Sequence, residues 1–242
     1  MENALPPLQI SPLGDAAIIV KFGENISPAT HTWVKAFAKL LTTYSFPGFV
    51  ELVPAYTTVT IFYNPWVSSE KGKYNPYEQV TNAILNLLPQ LKPAAETSSP
   101  IVKIPVCYGG NFGPDLAFVA LHNNISPEEV IHIHTRNIYL VYMIGFAPGF
   151  PYLGGMDASI AAPRKKVPLT EIPAGSVGIG GLQTGIYSLP TPGGWQLIGR
   201  TPLNLFNPGQ QPATLLQAGD RVQFFSVTPA EFNQRKAREN ES

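Results

Sequence analysis

Proline and glycine punctuate this chain throughout: 25 prolines and 21 glycines stand among 242 residues, set between short apolar runs and not gathered in one tract. Proline fixes φ and removes a backbone donor, and glycine opens the φ > 0 conformations that tight turns need. An apolar run bounded by such residues reaches strand length and stops. The pattern therefore specifies a loop-rich β architecture and excludes a helical bundle. Hydrophobic residues at 44% supply real cores, so disorder is excluded as well. The length suits one large domain or two small ones.

Charge narrows the partners. Only 13% of residues are charged, with 16 basic balanced by 16 acidic, against a usual charged share of about 25%. A basic footprint for nucleic acid is missing, and a neutral, charge-poor surface favours association, so part of it is expected to be covered by a partner. The single cysteine, Cys107, excludes an intrachain disulfide or a cysteine metal cluster and fits a reducing compartment. The opening MENALPPLQISPLGD has neither a charged n-region nor an apolar h-region, so no signal peptide and a cytoplasmic location are expected. No apolar run approaches the roughly 18 residues of a membrane span.

Residues 1–98 read as an α/β domain. A β-prone run, 16–22, follows the turn Gly14-Asp15. Ser27-Pro28 offers an N-cap and a proline at the first helical position, and Trp33, Phe37, Leu40 and Leu41 recur at helical spacing until Pro47-Gly48. Two strands, 49–53 and 57–63, flank Pro54-Ala55-Tyr56. Asn75-Pro76-Tyr77-Glu78 reads as a capping box ahead of Val80, Ile84, Leu87 and Leu88, and residues 94–99 read as a linker. Strand, helix, two strands, helix, closed by the run 101–106, is the order of a ferredoxin-like α/β sandwich, which makes the whole an α+β protein.

Residues 99–233 read as a β-barrel or sandwich. Gly113-Pro114-Asp115 opens a short helix, and Ser126 with Glu129 caps another. After Tyr139, short apolar runs (139–146, 176–179, 185–189, 195–199 and 221–225) are separated by Gly/Pro turns. The charged tail 234–242 is expected to fray.

Several catalytic templates are missing. There is no GxxxxGK[ST] phosphate cradle and no HExxH. His132 and His134 are two apart on an expected helix and face different ways. Ala174-Gly175-Ser176-Val177-Gly178 resembles a nucleophile elbow, but all four histidines precede Ser176, against the chain order of that triad. Ser176 is therefore read into a tight β-turn and kept only as a candidate contact. The informative stretch is 145–200. Gly145-Phe146-Ala147-Pro148-Gly149-Phe150-Pro151-Tyr152 has the composition of a rigid, exposed binding loop, with Phe146, Pro148, Gly149, Phe150 and Tyr152 as candidate substrate contacts. Arg164 and Lys165, followed by Lys166, suit a carboxylate or phosphate, or form a solvated basic turn. Gln183, Thr184 and Gly194 offer neutral donors, and Trp195 a stacking face. Arg200 can anchor an anion or a carbonyl. His134, at the end of a short helix leading into this region, is either a helix-dipole partner or a catalytic or ligand group. Arg164, Gln183 and His134 are the candidate catalytic residues.

The runs PVCYGGNFGPDL, EEVIHIHTRNIYLVYMIGFAPGFPYLGG, APRKKVP, PAGSVGIGGLQTGIY and TPGGWQLIGRTPLNLF, with SPLGDAAIIVKFG and VPAYTTVTIFY near the start, resemble the 5-oxoprolinase B-subunit family, also called the KipI or allophanate hydrolase subunit 1 family. The resemblance covers about residues 8 to 232 and departs from the family pattern at Pro168-Leu169, where a second Pro-Arg pair is usual, and at Ser188, where proline follows the Gly-Ile-Tyr run. It implies an amino-terminal α/β domain and a cyclophilin-like β-barrel, and ATP-dependent opening of 5-oxo-L-proline to L-glutamate. It implies two partners, a KipA-type C subunit plus an A subunit, with ATP and accompanying Mg2+ bound with or by one of them. A charge-stabilising role for Arg164, Lys165 and Gln183 fits such chemistry, because an amide is a poor electrophile. The same family includes an inhibitor of a sensor histidine kinase and the carboxyl-transfer part of urea carboxylase. Proline isomerisation, suggested by the barrel type alone, has no site to carry it.

Overall fold

The computed structural model describes residues 5–93 and 100–241; the expected linker 94–99 lies outside them. The chain divides into two compact units, Met1–Ser98 and Ser99–Ser242.

The first unit contains β1 (Gln9–Pro12), β2 (Ala17–Lys21), α1 (Pro28–Thr43), β3 (Phe49–Ala55), β4 (Thr58–Tyr63), the short α2 (Pro65–Ser68) and α3 (Pro76–Leu87). Local signals set the helices. Ser27 Oγ accepts from Thr30 N at 3.1 Å ahead of Pro28, and Asn75 Oδ1 accepts from Tyr77 N at 3.0 Å ahead of α3. The sheet runs in the order β1-β2-β4-β3 with every pairing antiparallel. β2 and β3, each antiparallel to β4 between them, thus run parallel to each other and are joined through α1, as in a split βαβ unit. Trp33, Phe37 and Leu41 of α1 and Val80 and Ile84 of α3 share one core with Ile18, Val20 and Ile61 of the sheet.

The fourth strand of this sheet corrects the sequence reading. It is β1, and not the run 101–106. β1 has too few residues to show alternation, and Pro12 is tolerated because an edge strand hydrogen-bonds on one side only. The run 101–106 instead belongs to β5 (Ile101–Tyr108) of the second unit, paired in parallel with β13 (Arg221–Ser226).

Between them lie α4 (Leu116–His122), α5 (Pro127–Arg136), β6 (Tyr139–Ile144), β7 (Pro151–Gly154), β8 (Leu169–Ile172), β9 (Ser176–Gly180), β10 (Gln183–Ile186), β11 (Thr191–Gly193) and β12 (Gln196–Arg200). Seven strands close a barrel in the order β10-β7-β6-β13-β5-β12-β9, with β9 returning to β10, while β8 and β11 form a separate ribbon. Ile104, Val106, Val141, Leu153, Val177, Ile179 and Phe224 fill the interior. Alternation sends the intervening residues outward. Residues 234–241, expected to fray, continue α6 (Pro229–Glu241). Thr228 and Glu231 cap it reciprocally (2.8 and 3.3 Å), and Phe232 packs on Phe112 with ring centroids 4.7 Å apart. No helix among the described residues is long and apolar enough to cross a membrane.

Candidate functional site

On β9, Val177 and Ile179 point into the barrel, which turns Gly178 and Gly180 outward; Gly185 of β10 lies on the same outer face. A Cβ at Gly180 would fall 2.6 Å from the Trp195 ring, and one at Gly185 3.1 Å from both the Trp195 and Phe150 rings. These glycines are strand residues that let an indole lie directly on the barrel backbone. Around it, Phe150, Ile172, Tyr187, Trp195 and Leu197 form a second buried cluster, with Tyr152 packed at its margin. Phe150 meets Tyr152, Tyr187 and Trp195 edge-on, with centroids 4.9, 5.4 and 5.7 Å apart, a geometry aromatic quadrupoles favour. The result is a rigid aromatic platform.

The loop 145–150 is pinned onto this platform and is not the wholly exposed loop that its composition suggests. Gly145 N donates to Phe150 O (3.1 Å), Ser188 Oγ to Pro148 O (2.6 Å), and a Cβ at Gly149, at φ +76°, would crowd Phe206 Cβ at 2.9 Å. Phe150 is buried, Tyr152 half-buried, and Phe146 and Pro148 exposed. Phe146 adopts φ +68° and sets its ring edge-on to Phe150 at 5.4 Å. A non-glycine residue in that region is uncommon.

The basic segment divides its roles. Lys165 Nζ pairs with Asp115 Oδ1 at 2.5 Å, the other Asp115 oxygen accepts from Leu197 N at 2.7 Å, and Lys165 N donates to Gly194 O at 2.6 Å. Lys165 thus ties the segment to the platform. Asp115, expected to open α4, makes no side-chain cap there and serves this joint instead. Gln196 Nε2 adds a bond to Pro163 O (2.8 Å). Arg164 stays exposed with its guanidinium 5.9 Å from the Trp195 ring centroid. Burial pushes the Tyr152 and Tyr187 phenols above their ordinary range; the Arg164 charge, close to both, acts in the opposite sense.

His134 lies elsewhere, sealed inside the barrel. Tyr108 Oη is 2.7 Å from Nδ1 and Thr184 Oγ1 is 3.0 Å from Nε2. The Thr184 hydroxyl donates its one proton to Gly178 O (3.0 Å), so Nε2 carries the imidazole hydrogen and Nδ1 accepts from Tyr108. The ring stacks on Phe224 at 4.4 Å, and burial lowers its pKa to about 3. It is a neutral, fully bonded strut. Gln183 pairs across the β9–β10 ladder with Gly180. Ser176 begins β9 directly after a turn at Gly175 and is buried.

The platform therefore gathers Phe146, Phe150, Tyr152, Arg164, Lys165, Gly194 and Trp195, while His134 and Thr184 stand behind the wall. Sequence reasoning passed over Tyr187 and Asp115. Alternation along 184–187, with Thr184 and Ile186 inward, was a usable signal for Tyr187; Asp115 had none, its partner being 50 residues away. A shallow cavity of about 460 Å³ is built from other residues, Lys103, Thr135, Gln223, Phe225 and Ser226 among them.

Residues 8–216 match the family described as carboxyltransferase domain, subdomain C and D. The chain belongs to this family. The matched span takes in β1 through β12 and the whole platform. Among relatives, the 5-oxoprolinase B subunit of Bacillus subtilis (strain 168) is 50% identical over 235 residues, which cover 96% of this chain and 98% of that one. Among solved structures, TTHA0988 is similar with a TM-score of 0.75 and 34% identity, over 87% of this chain and 40% of that chain. The Kluyveromyces lactis urea amidolyase shares the fold, with a TM-score of 0.73 at 20% identity over 95% of this chain and 15% of that enzyme.

Proposed function

We infer that this chain is the B subunit of a 5-oxoprolinase, supplying one wall of a site that other subunits finish. The observation that carries this reading is the 50% identity to the Bacillus subtilis protein along nearly the full length of both chains. The reaction is the ATP-dependent opening of the 5-oxo-L-proline ring to L-glutamate, the partners being an A subunit plus a KipA-type C subunit.

Ring opening builds negative charge on the lactam oxygen, and donors fixed in advance stabilise it. Arg164, exposed above the Trp195 ring, supplies a cation that keeps its charge. Tyr152 and Tyr187, their phenols raised by burial, stay protonated at neutral pH and are donors. Lys165 is a positioning residue, since its ammonium is engaged by Asp115. Phe146 and Phe150 offer an apolar face to the ring, Gln183 a neutral amide, and His134 stiffens the wall from within.

The residues described do not by themselves fit a magnesium–nucleotide cradle. The glycine-rich strands carry an indole on their outer face, and among the described residues no three His, Cys, Asp or Glu side chains gather to hold a metal ion. We assign ATP and its Mg2+ to a partner protein or to a site finished by one.

The test is glutamate release from 5-oxo-L-proline with ATP, for this chain alone and with its partners. Activity is expected only for the complete assembly. Arg164→Ala is expected to lower its turnover about a hundredfold while the assembly still copurifies. Full activity of the isolated chain, or none with all partners present, overturns the reading. The fold shared with urea amidolyase leaves carboxyl transfer from an activated carboxyl donor to a urea-type amide as the competing activity, which the same assembly assayed with urea and such a donor distinguishes.

A further inference from the structure

The outer face of the barrel holds a second constellation beside the aromatic platform. Arg200 on β12 stands directly across from Ser176 on β9 and from Cys107 on β5. The same row continues to Tyr187, whose N–H donates to Ser176 O at 2.8 Å. Residues directly opposite on adjacent strands place their Cβ atoms about 5 Å apart, so the Ser176 hydroxyl and the Arg200 side chain share one patch bordered by the Tyr187 ring.

Both groups are short of partners. Ser176 is fully buried, yet its Oγ has no hydrogen-bond partner among the described residues; Arg200 Nε is buried and lacks one too. None of the ion pairs found among the described residues includes Arg200. Four acids of this unit are engaged elsewhere: Asp115 on Lys165, Asp157 on Arg136, Asp220 on Gln217 N and Glu231 on Thr228. Arg200 as a whole is half-buried, and partial burial pushes its guanidinium below its ordinary range. The backbone is shaped around it: Gly175, at φ +81°, brings its Cα close enough that a Cβ would touch Arg200 Cγ at 3.4 Å, and Thr201 N donates to Gly175 O at 2.9 Å.

A buried donor without an acceptor costs its full desolvation, and a cation costs more than a neutral group. A protein keeps such a pair where an acceptor arrives from outside. A guanidinium offers a planar fork of N–H donors matched to two oxygens of one group, and a hydroxyl adds a third donor. We propose that Arg200 and Ser176 form a receptor for a small oxyanion, a carboxylate or a phosphoryl group, whose apolar remainder rests toward Tyr187 and the platform. This goes beyond the enzyme assignment and does not depend on turnover.

The test is direct binding to the full chain by calorimetry, with three probes: 5-oxo-L-proline, 2-pyrrolidinone (the same ring without the carboxylate) and inorganic phosphate. At least one anion is expected to bind, to raise the unfolding temperature of the wild type, and to lose about tenfold or more in affinity in Arg200→Gln. Ser176→Ala is expected to weaken it a few-fold, and Arg200→Lys to restore part of what Arg200→Gln loses. Binding of 5-oxoproline but not of 2-pyrrolidinone names a carboxylate as the source; binding of phosphate alone names a phosphoryl group. Because the Arg200 Nε and Ser176 Oγ atoms bond to none of the described residues, both variants are expected to fold with an unfolding temperature no lower than that of the wild type in the absence of anion. The proposal is overturned if neither anion binds the wild type, or if a folded Arg200→Gln chain binds as tightly. Failure of the assembled enzyme to release glutamate leaves this result untouched, so the two readings fail separately.

Discussion

Inside the barrel, His134 commits both ring nitrogens to protein partners, Tyr108 and Thr184. On the outer wall, Ser176 Oγ and Arg200 Nε are equally covered and meet none among the described residues. Both sets are buried polar groups of the same barrel, yet one is complete and the other is not. A satisfied buried network rigidifies the fold and asks nothing of a ligand; an unsatisfied one beside an aromatic platform needs something from outside. The histidine, which sequence reasoning nominated for chemistry, is thus a strut, and the arginine it treated in passing carries the stronger claim to a ligand.

The largest expected effect tests whether the platform is part of the fold or laid upon it. Trp195→Ala removes a nearly fully buried indole that fills the space above three glycines. A loss of about 3–5 kcal/mol in denaturant unfolding is expected. A loss below about 1 kcal/mol means the outer cluster is a loose cover, and the contrast with the interior fails. Next in size, Gly180→Ala drives a methyl against the indole, which the Phe150, Tyr152 and Tyr187 rings confine on its other sides. About 1–3 kcal/mol of destabilisation is expected from overpacking. The same substitution at Gly181, where nothing stands within 4 Å but φ is +66°, reports backbone strain alone, about 1 kcal/mol. A smaller penalty at Gly180 than at Gly181 breaks the account of why these strands are glycine-rich.

These glycines show where sequence legibility ends. Read along the chain, Gly178, Gly180 and Gly185 look like turn residues, since turns are where glycine is usually needed. Their reason is an indole from further along the chain, a non-local fact. Capping was legible because it is local: Ser27, Asn75 and Ser126 each accept from a backbone N–H within three residues. Six of the seven barrel strands were visible as apolar runs between Gly/Pro turns; β7 was read into the aromatic loop 145–152, and β1 was missed, being four residues with no alternation. The strand 101–108 was seen and given to the wrong sheet, because its parallel partner, β13, lies over a hundred residues away. Of the site, the aromatic and basic residues were legible by type. Which of them stand exposed, which are buried, and that Lys165 is already paired are consequences of packing alone.

Acid titration sharpens the interior side of the comparison. His134 falls from the ordinary 6.5 to about 3 because burial penalises its charged form. Below pH 6.5 the unfolded chain takes up a proton that the folded barrel refuses until about pH 3. Stability contributed by the neutral ring is therefore complete above pH 6.5 and lost as pH falls through that window, at about 1.4 kcal/mol per pH unit. Denaturant unfolding of the barrel at pH 7 and pH 5 is expected to show this slope, and His134→Gln to flatten it. His31, in the first unit, falls to about 4 for the same reason, with a smaller contribution from Lys35, so its variant serves as the control for that unit. An unchanged slope in His134→Gln means the ring is hydrated and charged, and not the neutral strut described.

The smallest expected effect concerns the joint between the basic segment and the platform. Lys165 and Asp115 form a close pair with side-chain exposures of 20% and 16%. Two features limit what the pair contributes. Asp115 keeps its bond from Leu197 N when the ammonium is removed, so its carboxylate is not stranded. The segment also keeps two fastenings that use no lysine charge, Lys165 N to Gly194 O and Gln196 Nε2 to Pro163 O. Lys165→Met, which preserves the apolar stem, is therefore expected to cost only about 1 kcal/mol and to leave Arg164 in place over the indole. Glutamate release by the assembled enzyme separates the two kinds of role: Lys165→Met is expected to reduce it far less than Arg164→Ala. Should Lys165→Met instead destabilise the chain as much as Trp195→Ala, the buried charge pair, and not the rings on glycine, is what holds the outer wall together, and the division drawn between a satisfied interior and a ligand-ready exterior has to be redrawn around Asp115.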